Sequence, residues 1–177
     1  MGRWLVARIV LIAACLATCS GLVGCSWVTV SDPAVPAYNS VRQLAEASSL
    51  VVVGKPQSQT VVPASGHVGD YTLTVFSVET VLSQSAGFSV GDTVMVRQPV
   101  SHPEAEQPPT LATDVRYLLY LTSDTGGNSS SSVFYVVGPA AGQWAADDPG
   151  DPTVFTPVAP DPRDNLPSSI TAATALG

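Results

Sequence analysis

The sequence predicts an all-β (mainly β) domain, five strands bent into a small barrel behind one short helix, and three observations carry that expectation. Only 12% of the 177 residues are charged, while Val, Ala, Ser, Thr, Pro and Gly dominate, a composition that favours strands and turns over solvent-exposed helices rich in Glu and Lys. Five β-branched or alternating runs follow one another between residues 50 and 138, separated by Gly, Pro, Asp and Ser clusters. One of them, YTLTVFSVETVL, is long and changes its hydrophobic phase midway, as a bulged strand bending around a barrel does. The length supports one domain with its own core and is too short for two sizeable ones plus the unusual ends.

Residues 1–24 read as an address rather than a fold element. Arg3 and Arg8 precede an apolar stretch from Ile9 to about Ala17 and then small residues, the order of a secretory signal peptide. From Ile9 to Val23 the run is 15 residues long, short of the roughly 20 that cross a bilayer. Leu22, Val23 and Gly24 then stand immediately before Cys25, and this LVGC resembles the lipobox of bacterial lipoproteins. The resemblance implies a diacylglyceryl group on the Cys25 sulfur, cleavage before Cys25, and an amine open to further acylation. Two rival cysteines fit less well: IAAC at Cys15 leaves only a few apolar residues after Arg8, and LATC at Cys19 has Thr before the cysteine. A plain signal peptide or a short uncleaved anchor is the alternative reading.

Cysteine usage agrees with lipid attachment, because all three cysteines lie at or before position 25. Cleavage there leaves one cysteine and no internal disulfide, and a lone thiol in an oxidising compartment is accounted for if its sulfur is already used. Two or three acyl chains, at about 0.8 kcal/mol per buried methylene, anchor a protein without a transmembrane helix. The remaining chain has five basic against 14 acidic residues, a net charge of −9, so the body is not expected to cling to an anionic bilayer. With no basic cluster anywhere, the attraction that nucleic-acid binding depends on is missing.

The elements of the mature chain follow in order. Residues 25–37, with SWVTVSDPAVPA, suit an extended lipidated tether. YNSVRQLAEASS places Val41, Leu44 and Ala45 at helical spacing behind Asn39 or Ser40 as N-cap. Leu50 to Lys55 is continuously apolar up to its lysine, as a strand buried on both faces is. In YTLTVFSVETVL, Tyr71, Leu73 and Val75 alternate with Thr72 and Thr74, after which Phe76 and Val78 take the apolar phase; the slip between Val75 and Phe76 predicts a bulge there. DTVMVRQP puts Val94 and Val96 on one face and Thr93, Met95 and Arg97 on the other. VRYLLYLTS is apolar on both faces, and SVFYVVG is the fifth run. The barrel domain is expected over 38–145. Residues 146–177 read as an acidic, Pro-rich tail, much of it poorly ordered or polyproline-like, with one edge strand at Thr153–Thr156 and a turn or two of helix in SSITAATALG.

A short helix, SLVVVGK, YTLTVFSVETVL, GDTVMVR and PPTLATDVRYLLYL, in that order, resemble the netrin-like, tissue-inhibitor-of-metalloproteinase-like group of OB-fold barrels over about Tyr38 to Trp144. The resemblance implies a small OB-like five-stranded barrel. In that group a mature N-terminal cysteine inhibits zinc proteases by chelating the metal through its amine and carbonyl. Cys25 would hold that position, but it has no disulfide partner here and acylation would block the amine, so the fold is implied and inhibition is the weaker expectation.

No phosphate-cradling glycine loop or dinucleotide fingerprint occurs. His67 and His102 lie in loop-like SGHVGD and SHPEAEQ. His102, Glu104 and Glu106 alternate along an extended segment and so share a side, which suits metal ligands of a metal-dependent enzyme; a solvated acidic loop is the simpler reading. Asp147, Asp148 and Asp151 offer oxygens to calcium without the spacing of a full loop. Asn128 of NSS formally matches a glycosylation acceptor in a flexible loop. The expectation is a lipid-anchored, extracytoplasmic, noncatalytic binding or accessory module at the cell membrane. It needs no cofactor and contacts an envelope protein or small ligand through the 99–114 loop.

Overall fold

The computed structural model describes residues 36–63, 69–84, 87–100, 110–123, 133–138, 140–148 and 151–177. Helix α1 (Val41–Glu46) is a short one, held at its start by Ser40, whose side chain accepts the Gln43 N–H at 3.2 Å, while Gln43 Oε1 accepts the Asn39 N–H at 2.9 Å. Its apolar stripe, Val41 and Leu44, is buried.

The barrel is built from β1 (Leu50–Val62), β2 (Tyr71–Gln84), β3 (Thr93–Pro99), β4 (Tyr117–Ser123) and β5 (Val133–Val136). Around the ring the order is β1-β2-β3-β5-β4, and Leu50–Gly54 closes it by pairing with Tyr117–Leu121. Every junction is antiparallel except β3 with β5, which is parallel. This is a closed, five-stranded, OB-like barrel, the fold class that the residue patterns predict.

Beyond it, β6 (Gln143–Asp148) pairs with β4, β7 (Asp151–Pro157) with β6, and β8 (Ile170–Thr171) with β7; a one-turn 3-10 helix, Ala172–Thr174, follows. β5 and β6 run along the same side of β4, interrupted opposite Tyr120, whose carbonyl accepts the Val137 N–H and whose N–H donates to Gly142. A side chain on Gly142 would run into the carbonyls of Val137 and Tyr120, so the excursion closes only over a glycine.

Two cores result. Inside the barrel lie Leu50, Val52, Phe76, Val78, Val94, Val96, Leu119, Leu121 and Phe134. Outside it, Val51, Val53, Leu118 and Tyr120 meet Tyr38 and Leu44 of the helical segment, Trp144, Phe155, Ile170 and Ala175. Leu50–Gly54 of β1 and Tyr117–Leu121 of β4 are therefore buried on both faces, which is why these stretches read as unbroken apolar runs. The acidic C-terminal segment supplies part of the second core. Its expected edge strand is β7, and Phe155 and Ile170 are almost wholly buried, so this stretch packs as structure where a poorly ordered or polyproline-like tail was expected.

The long strand corrects a second expectation. Thr72, Thr74, Phe76 and Val78 form one uninterrupted inward row, and pairing with β3 runs without a slip from Tyr71 opposite Pro99 to Ser77 opposite Thr93. The irregularities lie in the β1–β2 pairing. Gln57 is the extra residue on β1 across from Val75 and Phe76, while Glu79 and Leu82 are extra on β2. The bulge is thus at the predicted height but on the neighbouring strand. The threonines point inward because the barrel end they face is polar.

Candidate functional site

The four buried polar side chains among the described residues, Thr72, Thr74, Gln98 and Gln143, come from β2, β3 and β6. Gln98 continues the inward row of Val94 and Val96, and its Nε2 donates to Gln143 Oε1 at 3.1 Å. Its Oε1 accepts the N–H of Leu111 at 3.2 Å, while Gln59 Nε2 donates to the Leu111 carbonyl and to Thr74 Oγ1 at 3.3 Å. Both backbone groups of Leu111 are held by glutamine side chains, and its own side chain is 1% exposed in the barrel core. Next along the chain, Ala112 N–H donates to Tyr117 Oη at 2.9 Å. On the other side, Val100 N–H donates to the Asp70 carbonyl at 3.1 Å. Buried polar groups are costly unless bonded, so this network fixes both shoulders of the 101–109 segment on the barrel.

Beside that end lies the outer face of β2, β3 and β5. Tyr71, Leu73 and Val75 of β2, Met95 and Arg97 of β3, and Val133 and Tyr135 of β5 alternate with the inward rows and are all half-buried. Arg97 stands opposite Leu73 on one side and Tyr135 on the other. Its guanidinium carbon lies 3.8 Å from the Tyr71 ring centre and 5.8 Å from that of Tyr135, and its Nη1 donates to Tyr135 Oη at 3.2 Å. A cation is thereby held over one aromatic ring and hydrogen-bonded to the hydroxyl of the other.

A third feature is a groove lined by Pro157, Ala159, Pro160, Leu166 and Pro167 with Asp161 and Asp164. Its carboxylates are engaged in folding. Asp164 accepts the Tyr38 N–H at 2.7 Å, and Arg163 clamps Asp161 and holds its carboxyl at about 2.

Of the residues singled out in the sequence, Cys25, His67, His102, Glu104, Glu106 and Asn128 lie outside the described residues. Asp147 and Asp148 are exposed at the end of β6, and among the described residues no three His, Cys, Asp or Glu gather as a metal site. The clamp on Leu111 and the Arg97 cluster were not singled out. The inward position of Gln98 was legible in the V-M-V-R-Q alternation; the meeting of Arg97 with Tyr135 depends on the parallel β3–β5 pairing, which no local pattern announces. No protein-family model matches the chain, and no curated protein matches its sequence, so function is read from the residues and their geometry.

Proposed function

We propose that the protein is a lipid-anchored lipoprotein of the extracytoplasmic face of a cell membrane, in which the barrel serves as a noncatalytic binding module. The observation that carries this reading is LVGC at 22–25 behind an apolar run, with no cysteine after it. Thioether-linked lipid on Cys25 then anchors the chain, residues 25–37 form the tether, and the 99–114 loop is the contact with an envelope partner. Support comes from the side chains the barrel commits to this loop: the buried Gln98 and Gln143, with Gln59 at the rim, build a base from which a recognition segment departs.

The test is the intact mass and N-terminal peptide mass of protein taken from membranes, beside Cys25→Ala. A diacylglyceryl or triacyl adduct on a chain beginning at Cys25, absent from the variant, is the expected result. An unmodified terminus elsewhere in the chain would overturn the proposal.

A further inference from the structure

Five cations fall within the described residues: Arg42, Lys55, Arg97, Arg116 and Arg163. Three of the four arginines are paired with carboxylates, Arg42 with Glu46, Arg116 with Glu79 and Arg163 with Asp161. Arg97 differs. Two tyrosines hold it, and among the described residues no carboxylate lies within ion-pair distance. The rings fix its orientation without neutralising its charge. Of the five N–H donors a guanidinium carries, one is engaged by Tyr135. The remaining donors form a planar fork whose ordering entropy is already spent, the arrangement that favours bidentate binding of a carboxylate.

The surroundings say what body that carboxylate sits on. Leu73, Val75, Met95 and Val133 make the adjoining rows of the same face, and neither core includes them. A sheet face carrying Tyr, Arg and Met among aliphatic side chains has the composition of an interface centre. Its position on three paired strands makes it a broad surface, which a polypeptide covers better than a small molecule does. Charge decides the sign of the partner: on a protein of net charge −7, this is the place where an acidic side chain meets a fixed cation.

We propose that the outer face of β2, β3 and β5 docks a polypeptide segment of a partner protein that presents one carboxylate among apolar side chains, with Arg97 as the recognising fork between Tyr71 and Tyr135. The proposal rests on reading the domain as a binding module. Its test needs neither membrane anchor nor native partner, so its failure leaves the mass measurement on Cys25 untouched.

The probes are three acetylated, amidated pentapeptides, VTETV, VTQTV and VTKTV, titrated into the full chain in detergent micelles while the Arg97 Nε–H resonance is followed. VTETV is expected to shift that resonance and the ring signals of Tyr71 and Tyr135. The glutamine peptide should bind about fivefold more weakly, the difference between a charged and a neutral acceptor, and the lysine peptide not at all. Arg97→Gln should abolish the response to VTETV, read there on the tyrosine rings. Arg97→Lys, which keeps the charge and loses the fork, should weaken it about threefold to tenfold. Equal binding of VTETV and VTQTV, silence of Arg97 up to about 10 mM peptide, or undiminished binding by Arg97→Gln would each overturn the proposal. So would a shifted Arg97 signal in a Glu104→Gln/Glu106→Gln variant without peptide response, which would assign the carboxylate to this chain's own loop.

Discussion

Phe155→Ala probes whether the C-terminal segment is part of the folded unit or an ornament on it. Phe155 is 1% exposed; it stands opposite Ala146 of β6 and Ile170 of β8, in the core that backs β1 and β4. Truncation removes the ring's transfer free energy and leaves a cavity that the surrounding strands only partly fill. For a buried phenylalanine that costs about 3–5 kcal/mol. Set against a total of about 5–15 kcal/mol for a typical domain, the loss is a large share of what holds the fold together. At about 3–5 °C per kcal/mol for a domain of this size, the melting temperature should fall by roughly 10–20 °C. Urea unfolding followed by the emission of Trp144, itself fully buried in the same core, gives the free energy, and calorimetry gives the temperature. A segment merely lying on the surface would lose less than about 0.5 kcal/mol on the same change. A loss below about 1 kcal/mol, with Trp144 emission unmoved, would refute the assignment of residues 151–177 to the second core.

Gln98→Leu takes the acceptor from Leu111 N–H and a donor from Gln143, at a cost of about 1–3 kcal/mol. Amide exchange at Leu111 should accelerate, and unchanged protection there would show that the loop base does not depend on the glutamines. Burial pushes the phenols of Tyr38, Tyr117 and Tyr120 up from their ordinary value. The unfolded chain then releases these protons near pH 10 while the native state keeps them, so their contribution is intact below about pH 10 and is lost as pH rises further. Tyr120→Phe should flatten that alkaline fall, seen as a smaller drop in urea midpoint between pH 8 and 11; identical slopes would exclude Tyr120 as a contributor. The same variant also deprives the Ala175 carbonyl of the Tyr120 hydroxyl that donates to it at 2.7 Å, so about 1–3 kcal/mol should disappear already at neutral pH.

The parts of the fold that were legible are those where hydrophobicity reports burial directly. Val51 to Val53 and Leu118 to Leu121 read as doubly covered strands because both their faces meet apolar neighbours. Val94 and Val96 alternate with exposed or half-exposed residues in the ordinary period of two. The rule failed on β2, where Thr72 and Thr74 point inward and Tyr71, Leu73 and Val75 outward. There a polar barrel end reverses the usual sense, and β-branched threonine suits both settings. The second core was hidden for another reason: Phe155 stands in a Pro- and Asp-rich stretch, Ile170 and Ala175 in a short run of small residues, and their common destination exists only after the barrel has formed. The Arg97 cluster is non-local in the same way, assembled from positions 71, 97 and 135.

The barrel wall is finished unevenly. Strands β1 and β4 are the partition between two hydrophobic compartments, so a change in Val53 or Tyr120 disturbs packing on the second core side and strains a backbone shared with the first. Tyr71, Leu73 and Val75 of β2, Met95 and Arg97 of β3, and Val133 and Tyr135 of β5 belong to neither compartment. On the proposed docking surface, substitutions at Leu73, Met95 or Val133 change the face without opening a cavity in either core. One arc of the cylinder is thus committed to holding two cores together, and the opposite arc is committed to neither.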